Sequence, residues 1–396
     1  MKRLKGIAFF YASLVSILIG LGAGLFLTVT SELINLVWSR PVLSRPVWML
    51  ALAVIFGLIV GVLQAKIGQY PKTIKQILAE FKASGKVESQ SWKTWINGAV
   101  ILASGASVGP EASMTGIIAR QSSWLGQKLT NFVTDADLAG ASFWQQNQGF
   151  FKAKSEADQP LKSVFASQKR QKAAYAIWIA LGIVAFICWL KVFPENKVFG
   201  ISWKAVNWTW QGLALSPVAL VIGLLFGYFF LKMEQAGAWL SKKIKSSVLK
   251  GALGGLLLGI FGIFSTYFLW SGAFTMWKLV KEAAVLGPVL LLFLAFGKAI
   301  LTNLGFGLGW RGGTIFPAIF CSVSLGIAFA LVLPWSQNLL VAIITAASVS
   351  LIVGRPKLVT VLLIFLFTLR LAPVILAVCW LCEQLLNTKW LLDKLQ

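Results

Sequence analysis

Two short segments combine glycine, proline and backbone N–H groups in a way that can bind an anion. In "GLGWRGGTIFPAIF", Pro317 suits the first turn of a helix, where its missing N–H is not needed. The N–H groups of Thr314, Ile315 and Phe316 then point out of the helix start, beside the positive end of the helix dipole. Such a helix start can hold an anion without any cationic side chain.

The segment "SVGPEASM" has the same form. Gly109 and Pro110 open a helix, and the N–H groups of Ser107, Val108 and Gly109 face outward. We expect these N–H groups to converge with those of Gly313 and the second segment into one dehydrated anion site. The alternative is that glycine and proline only kink or cap membrane helices, where both residues are common.

The elements that hold these segments belong in a bilayer. Of the 396 residues, 58% are hydrophobic and 12% are charged, and the mean hydropathy is +0.79. A soluble domain has roughly 45–50% apolar and about 25% charged residues. The composition therefore predicts an all-α polytopic membrane protein, and we treat residues 1–396 as a single transmembrane domain.

Apolar segments of uneven length run along the chain. The first, at about residues 7–29, is longer than the apolar run of a signal peptide and predicts the first membrane helix. Several later segments are short or interrupted by glycine and proline, which indicates partial helices. The polar stretch at about 145–172 predicts an aqueous loop between two repeated halves, at about 7–200 and 201–396.

The basic excess predicts membrane topology and not a nucleic-acid partner. Lys and Arg total 36 against 13 Asp and Glu, which gives a formal net charge of +23. The basic residues cluster between apolar runs, as in "MKRLK" and "KKIKSSVLK", and no basic stretch is interleaved with base-stacking aromatics. We expect a multi-pass protein of the plasma membrane, surrounded by lipid, with its N-terminus in the cytoplasm.

The sequence offers little to an enzyme or a metal. It contains no histidine, which removes the commonest general base and metal ligand. Cys379 and Cys382 have the spacing of a redox motif, but their segment is apolar and we interpret them as small apolar filler. We predict no catalytic residue, no metal and no cofactor.

The two anion-site segments resemble a known family. "GASVGPEASMTG" and "GKAILTNLGFGLGWRGGTIFP" are similar to two signatures of the CLC chloride channels and chloride/proton antiporters, G-R/K-E-G-P and G-x-F-x-P. The resemblance implies a homodimer with a pore in each subunit, built from an inverted repeat of tilted and partial helices. It also implies that chloride binds near the bilayer midplane, held by backbone N–H groups at helix starts.

The first signature departs from the family at its acidic residue. Aligning Gly109-Pro110 with the family's Gly-Pro puts Val108 at the position of the gating glutamate, and valine cannot ionise. The nearest acid is Glu111, on the other side of the proline. We interpret Glu111 as a first-turn carboxylate that points along its own helix, and the alternative is a displaced gate.

The other ligands implied by the resemblance are also altered. Ile315 stands where the second signature has phenylalanine. In "IGQYP", Gly68 replaces the serine that supplies a hydroxyl to the anion, and Gln69 or Tyr70 is a possible substitute. No tyrosine follows Tyr267, so the family's last-helix ligand is missing. The internal proton-accepting glutamate, expected near 139–175, cannot be placed, and uncoupled conduction is therefore the simpler prediction.

Two cations lie in or beside the apolar runs. Arg311 precedes the second helix start and could raise the local potential for anions, or it could anchor the chain at the membrane interface. We interpret Lys298 as structural.

We therefore predict transport of chloride or a similar small anion through a CLC-like pore, uncoupled from protons. Three alternatives remain open: a fluoride-selective CLC-type transporter, a degenerate homologue that does not conduct, and a membrane enzyme that acts on phosphorylated lipid. The absence of histidine and of a close acidic pair argues against the enzyme.

Overall fold

A computed structural model describes residues 2–87, 90–135, 137–154, 167–193, 208–273, 275–333 and 337–388. These residues form sixteen α-helices and no β-strand. The helices of the first part of the chain are α1 Lys2–Val37, α2 Arg40–Leu43, α3 Pro46–Ile67, α4 Ile74–Ser84, α5 Ser91–Ala103, α6 Glu111–Thr134, α7 Phe143–Lys152 and α8 Gln168–Val192. Those of the second part are α9 Trp210–Ala214, α10 Ser216–Lys243, α11 Ser247–Phe264, α12 Met276–Gly307, α13 Ile315–Val332, α14 Gln337–Val353, α15 Pro356–Leu366 and α16 Ala372–Leu386.

The helices are those of a multi-pass membrane protein. Within the described ranges, eight of them are long and apolar enough to cross a bilayer, and the first is α1. Helices α14 and α15 are apolar but shorter, with 17 and 11 residues. The predicted all-α polytopic fold, with its mixture of full and partial helices, is confirmed.

The contacts divide the chain into two compact units. The first unit consists of Met1–Glu32, Pro71–Ala99 and Ala112–Asn196. Its core joins α1, α6, α7 and α8, and in it the ring of Tyr11 stacks on Phe150 with a centroid distance of 4.4 Å. These units are defined by contacts and do not test the predicted repeat. The two repeated halves at about 7–200 and 201–396 stay a prediction.

The polar stretch 145–172 is not one loop, and this part of the expectation was wrong. Its first part belongs to α7, where Ser142 and Gln145 form a capping box at the helix start. At the other end of α7, the Lys128 amine donates to the carbonyl oxygens of Phe151 and Ala153, at 2.9 and 3.2 Å. Its last residues, from Gln168, belong to α8, while 155–166 lie outside the described residues.

The second unit consists of Leu33–Tyr70, Val100–Glu111 and Lys197–Gln396. In it, α3 and α11 pack with their backbones almost in contact. A β-carbon added at Gly57 would overlap the Gly251 carbonyl, and one at Gly255 would overlap the Ala53 carbonyl. Small residues permit this close packing, which is the usual way for membrane helices to gain contact area.

Hydroxyl groups join the most buried helices of this unit. Ser348 of α14 donates to Ser322 of α13 at 2.6 Å, and Ser324 donates to the Leu291 carbonyl of α12 at 2.8 Å. All three serines are fully buried. Such bonds between helices replace the hydrophobic driving force that is lost in lipid.

Helix α12 is broken in the middle, as the glycine and proline content of the apolar runs predicts. Gly287 has a φ of 72°, which only glycine adopts readily, and Pro288 follows without an N–H to donate. The half after the kink carries Lys298 and Thr302 toward the two segments that were predicted to bind an anion.

Candidate functional site

The two predicted helix starts meet in the second unit. Gly109 and Gly313 form an isolated antiparallel bridge: the Gly109 N–H donates to the Gly313 carbonyl at 2.8 Å, and the Gly313 N–H donates to the Gly109 carbonyl at 2.7 Å. Helix α6 begins two residues after the first glycine, at Glu111, and α13 begins two residues after the second, at Ile315. The expected convergence of the two segments is therefore present.

The bridge changes which N–H groups can bind an anion. Gly109 and Gly313 donate to each other, and the Val108 N–H donates to the Ala106 carbonyl at 2.8 Å. The Phe316 N–H donates to the Oε1 atom of Glu111 at 2.7 Å. Four of the seven expected donors thus have protein partners, contrary to the expectation that all seven face an ion. Anion binding by the others, Ser107, Thr314 and Ile315, stays a prediction.

Glu111 does not point along its own helix, and that expectation was wrong. Its carboxylate lies against the bridge, at the start of α13, where the sequence predicted an anion. The Oε2 atom is buried and has no hydrogen-bond partner in the described part of the chain. A β-carbon on either Gly109 or Gly313 would overlap this carboxylate, so a larger residue at either position requires the Glu111 side chain to move.

Val108 occupies the position of the family's gating glutamate and is 1% exposed. Its side chain packs against Gly312, where an added β-carbon would lie 2.5 Å from Val108 Cγ2. The acid that reaches the start of α13 therefore comes from Glu111, three residues later in the chain. The hypothesis of a displaced gate now has a geometric basis.

Thr302 of α12 fixes the first segment, and sequence reasoning missed it. Its Oγ1 atom lies 2.9 Å from the Ser107 carbonyl oxygen, to which it donates, and 2.9 Å from Ser107 Oγ. The residue is fully buried. A polar side chain one helical turn after Lys298, in the apolar half of the helix after Pro288, was the available signal.

Lys298 binds backbone carbonyl oxygens and is 0% exposed. Its amine donates to Tyr267, Phe268, Leu269 and Trp270, at 2.8, 3.1, 3.3 and 2.8 Å. These four carbonyls belong to consecutive residues, and the amine also lies 4.8 Å from the centre of the Phe320 ring. The geometry agrees with a structural role.

The loop that Lys298 holds is joined to the first segment. The Trp270 N–H donates to the Gly105 carbonyl at 2.8 Å, and Trp270 is the one non-glycine residue with positive φ among those described. The indole of Trp38 donates to the Ala103 carbonyl at 2.8 Å. Lys298 and these two tryptophans therefore support the backbone that leads to the bridge.

Arg311, Gly68 and Gln69 lie together beside the second segment. Arg311 Nη2 donates to the Gln69 side-chain oxygen, and the Gly68 N–H donates to the Gln64 carbonyl at the end of α3. Gln64 in turn donates to the Tyr70 carbonyl at 2.6 Å. Gly68 and Gln69 as a third anion ligand, and Arg311 as an electrostatic attractant, stay predictions.

The described residues contain no group of three or more acidic or cysteine side chains that could hold a metal ion. Cys379 and Cys382 are buried on α16 and are free thiols.

Comparison with known proteins agrees with this fold. The sequence matches the family described as "Voltage gated chloride channel" over residues 164–385. No curated protein matched the sequence. A slow cyanobacterial Cl⁻/H⁺ antiporter superposes with a TM-score of 0.69 at 18% identity, covering 97% of this chain and 95% of the other.

Two further solved structures share the fold. A CLC-type fluoride/proton antiporter gives a TM-score of 0.66 at 16% identity, covering 94% of each chain. A eukaryotic CLC transporter gives 0.61 at 14% identity, covering 96% of this chain and 73% of the other. The family match spans more than half of the chain, and the chain belongs to the voltage-gated chloride channel family, the CLC family.

Proposed function

We propose that the protein moves chloride or a similar small anion across a membrane, past the start of α13. The observation that carries this proposal is the bond from the Phe316 N–H to Glu111 Oε1 at 2.7 Å. A helix start favours negative charge through its free N–H groups and its dipole. The carboxylate occupies a position that would suit an anion, so an anion and Glu111 compete for it.

The Glu111 carboxylate is bound weakly enough for a mobile anion to replace it at the start of α13. Oε1 accepts one hydrogen bond, whereas the buried Oε2 accepts none from the described residues. Conduction requires binding that is strong enough to dehydrate an ion and weak enough to release it. A single backbone N–H and a competing carboxylate meet both requirements better than a fixed cation would.

We propose that transport is uncoupled from protons. Coupling in this family uses a second, internal acid besides the gate. The segment 139–175, where that acid is expected, contributes α7 and the start of α8, and its residues 155–166 lie outside the description. The support for uncoupled movement is therefore Val108 at the usual gating position and the altered ligand at Gly68.

The location, oligomeric state and ion selectivity that we propose are those expected for a member of this family. We place the protein in the plasma membrane as a homodimer, with its N-terminus in the cytoplasm. Fluoride selectivity is a second candidate, supported by the fold likeness to a structure described as a fluoride/proton antiporter and by the loss of the serine and tyrosine hydroxyls.

The test is anion efflux from proteoliposomes that contain the purified protein, with and without a pH gradient. We expect chloride efflux that does not depend on the pH gradient. Glu111→Ala should raise the efflux several-fold because the competitor is gone, and Glu111→Gln should raise it less because its amide oxygen still accepts from Phe316. Glu234→Gln, an exposed acid on α10, is the matched control and should leave efflux unchanged.

Three results would count against the proposal. Absence of flux for any small anion, in the wild type and in both Glu111 variants, favours a homologue that does not conduct. Proton movement driven by a chloride gradient overturns the uncoupled part alone. Equal efflux from the wild type and Glu111→Ala removes the role given to the carboxylate.

A further inference from the structure

A small, partly open pocket lies behind the first segment, within the second unit. Ser107, Thr302 and Trp310 supply its polar lining, and Gly254 and Val108 supply part of its apolar lining. Its room is about that of one water molecule. None of its lining residues carries a charged side chain.

Trp310 brings an unused donor to this cavity. The side chain is 2% exposed, and its indole Nε1 has no hydrogen-bond partner among the residues described. An added β-carbon at Gly254, on the cavity wall, would overlap this nitrogen, so Nε1 lies at the wall itself. The indole N–H can only donate, and leaving it unpaired when buried is unfavourable. The missing partner must therefore be an acceptor small enough for the cavity.

The hydroxyl pair can supply a second donor. Thr302 Oγ1 is 2.9 Å from both the carbonyl oxygen and the Oγ of Ser107, so its single hydrogen can serve the Ser107 backbone. The Ser107 hydroxyl hydrogen can then turn either to Thr302 or into the cavity. In the second orientation, two donors and no acid line a space with room for about one water molecule.

We propose that this cavity is a subsite for a dehydrated anion of about the size of water, of which fluoride is the example. The ion accepts from Trp310 Nε1 and from the Ser107 hydroxyl. Chloride is larger than water and does not fit without movement of the wall. The inference rests on the proposed function, and it supplies donors that compensate for the hydroxyl lost at Gly68.

The test measures binding and not transport, so it can succeed or fail independently. Fluoride is titrated into the purified protein in detergent, and its binding is measured by calorimetry and by ¹⁹F NMR. We expect Trp310→Phe and Ser107→Ala each to weaken fluoride binding by about tenfold, the effect of losing one hydrogen bond to an ion. In Trp310→Phe, chloride affinity should change less than twofold. Thr345→Val, which removes a buried hydroxyl outside the cavity, is the matched control.

Gly254→Ala offers a second route if a donor variant fails to fold. Its methyl group would overlap Trp310 Nε1 and displace the indole from the cavity wall, so fluoride binding should fall although the N–H group itself is kept. Fluoride affinity equal to wild type in all three variants would show that the cavity holds a resident water only, and would overturn the proposal. Absence of fluoride binding by the wild type has the same meaning. Anion flux that is absent while this binding persists would overturn the proposed transport and leave the subsite standing.

Discussion

Glu111 and Lys298 are charged residues of one unit whose charged groups face the interior, and they differ in the number of their hydrogen-bond partners. Lys298 donates to four consecutive carbonyl oxygens and lies over the Phe320 ring. Glu111 accepts one backbone hydrogen bond at the start of α13, and its second oxygen has none from the described residues.

The difference separates a charge that holds structure from a charge that can be displaced. An amine with several acceptors loses much if it moves, because each carbonyl would be left buried without a partner. A carboxylate with one hydrogen bond loses little, and another anion can replace it at the same N–H. Substitutions at the two sites should therefore affect different properties.

The largest effect is expected from Lys298→Met, on stability. Removing the amine takes the donor from four carbonyl groups, three of which belong to buried residues, and the free energy of unfolding should fall by at least about 3 kcal/mol. Unfolding in mixed micelles, titrated with a denaturing detergent, measures this loss. Lys278→Met is the control, since Lys278 is half exposed and forms an ion pair with Glu282, and it should cost no more than about 1 kcal/mol. A loss at Lys298 as small as at Lys278 would end the distinction between the two buried charges.

The next effect is expected from Gly313→Ala. The methyl group would overlap the Glu111 carboxylate, and we expect a loss of about 1–3 kcal/mol from overpacking, together with displacement of the carboxylate. In the double variant Glu111→Ala with Gly313→Ala, part of that loss should disappear because the carboxylate is gone, although the Cβ atom of residue 111 still lies 2.9 Å from the added methyl group. A double-mutant cycle on stability measures the coupling.

Gly6→Ala provides the control for this cycle, because nothing lies near its added methyl group on α1. It should be neutral or slightly stabilising, as for glycine replaced in an exposed helix. If the stability losses of Gly313→Ala and Glu111→Ala are additive, the carboxylate does not contact the bridge. The contrast between Glu111 and Lys298 would then have no structural basis at Glu111.

Much of the site could be predicted from the chain itself. Glycine and proline before apolar runs predict helix starts from local backbone chemistry, and both starts are observed at Glu111 and Ile315. The meeting of the two segments also followed from the repeated pattern.

The partners of the N–H groups could not be predicted in the same way. The Gly109–Gly313 bridge depends on a distance between segments some 200 residues apart, which no local pattern contains. The direction of the Glu111 side chain depends on the same approach, and so the local argument that it follows its own helix failed. The loop prediction at 145–172 failed for a different reason, because a capping box starts a polar helix that hydropathy does not reveal.

The smallest effect is expected from Thr302→Val. This substitution tests whether the Thr302 hydroxyl supports the backbone segment that precedes Gly109 and Glu111. The hydroxyl donates to the Ser107 carbonyl, one turn of α12 after Lys298, so its loss should cost about 1 kcal/mol in unfolding free energy. Thr345→Val serves as a control of equal shape change, and because that hydroxyl has no partner in the described structure, it should cost less or stabilise the protein. Hydrogen exchange at the Ser107–Gly109 amides, measured by mass spectrometry, should rise in Thr302→Val and stay constant in Thr345→Val.

If Lys298 and Thr302 act as one support, the stability loss of the double variant Lys298→Met with Thr302→Val will be smaller than the sum of the two single losses. Simple additivity would instead mean that α12 holds the loop of Tyr267–Trp270 and the segment before Gly109 independently.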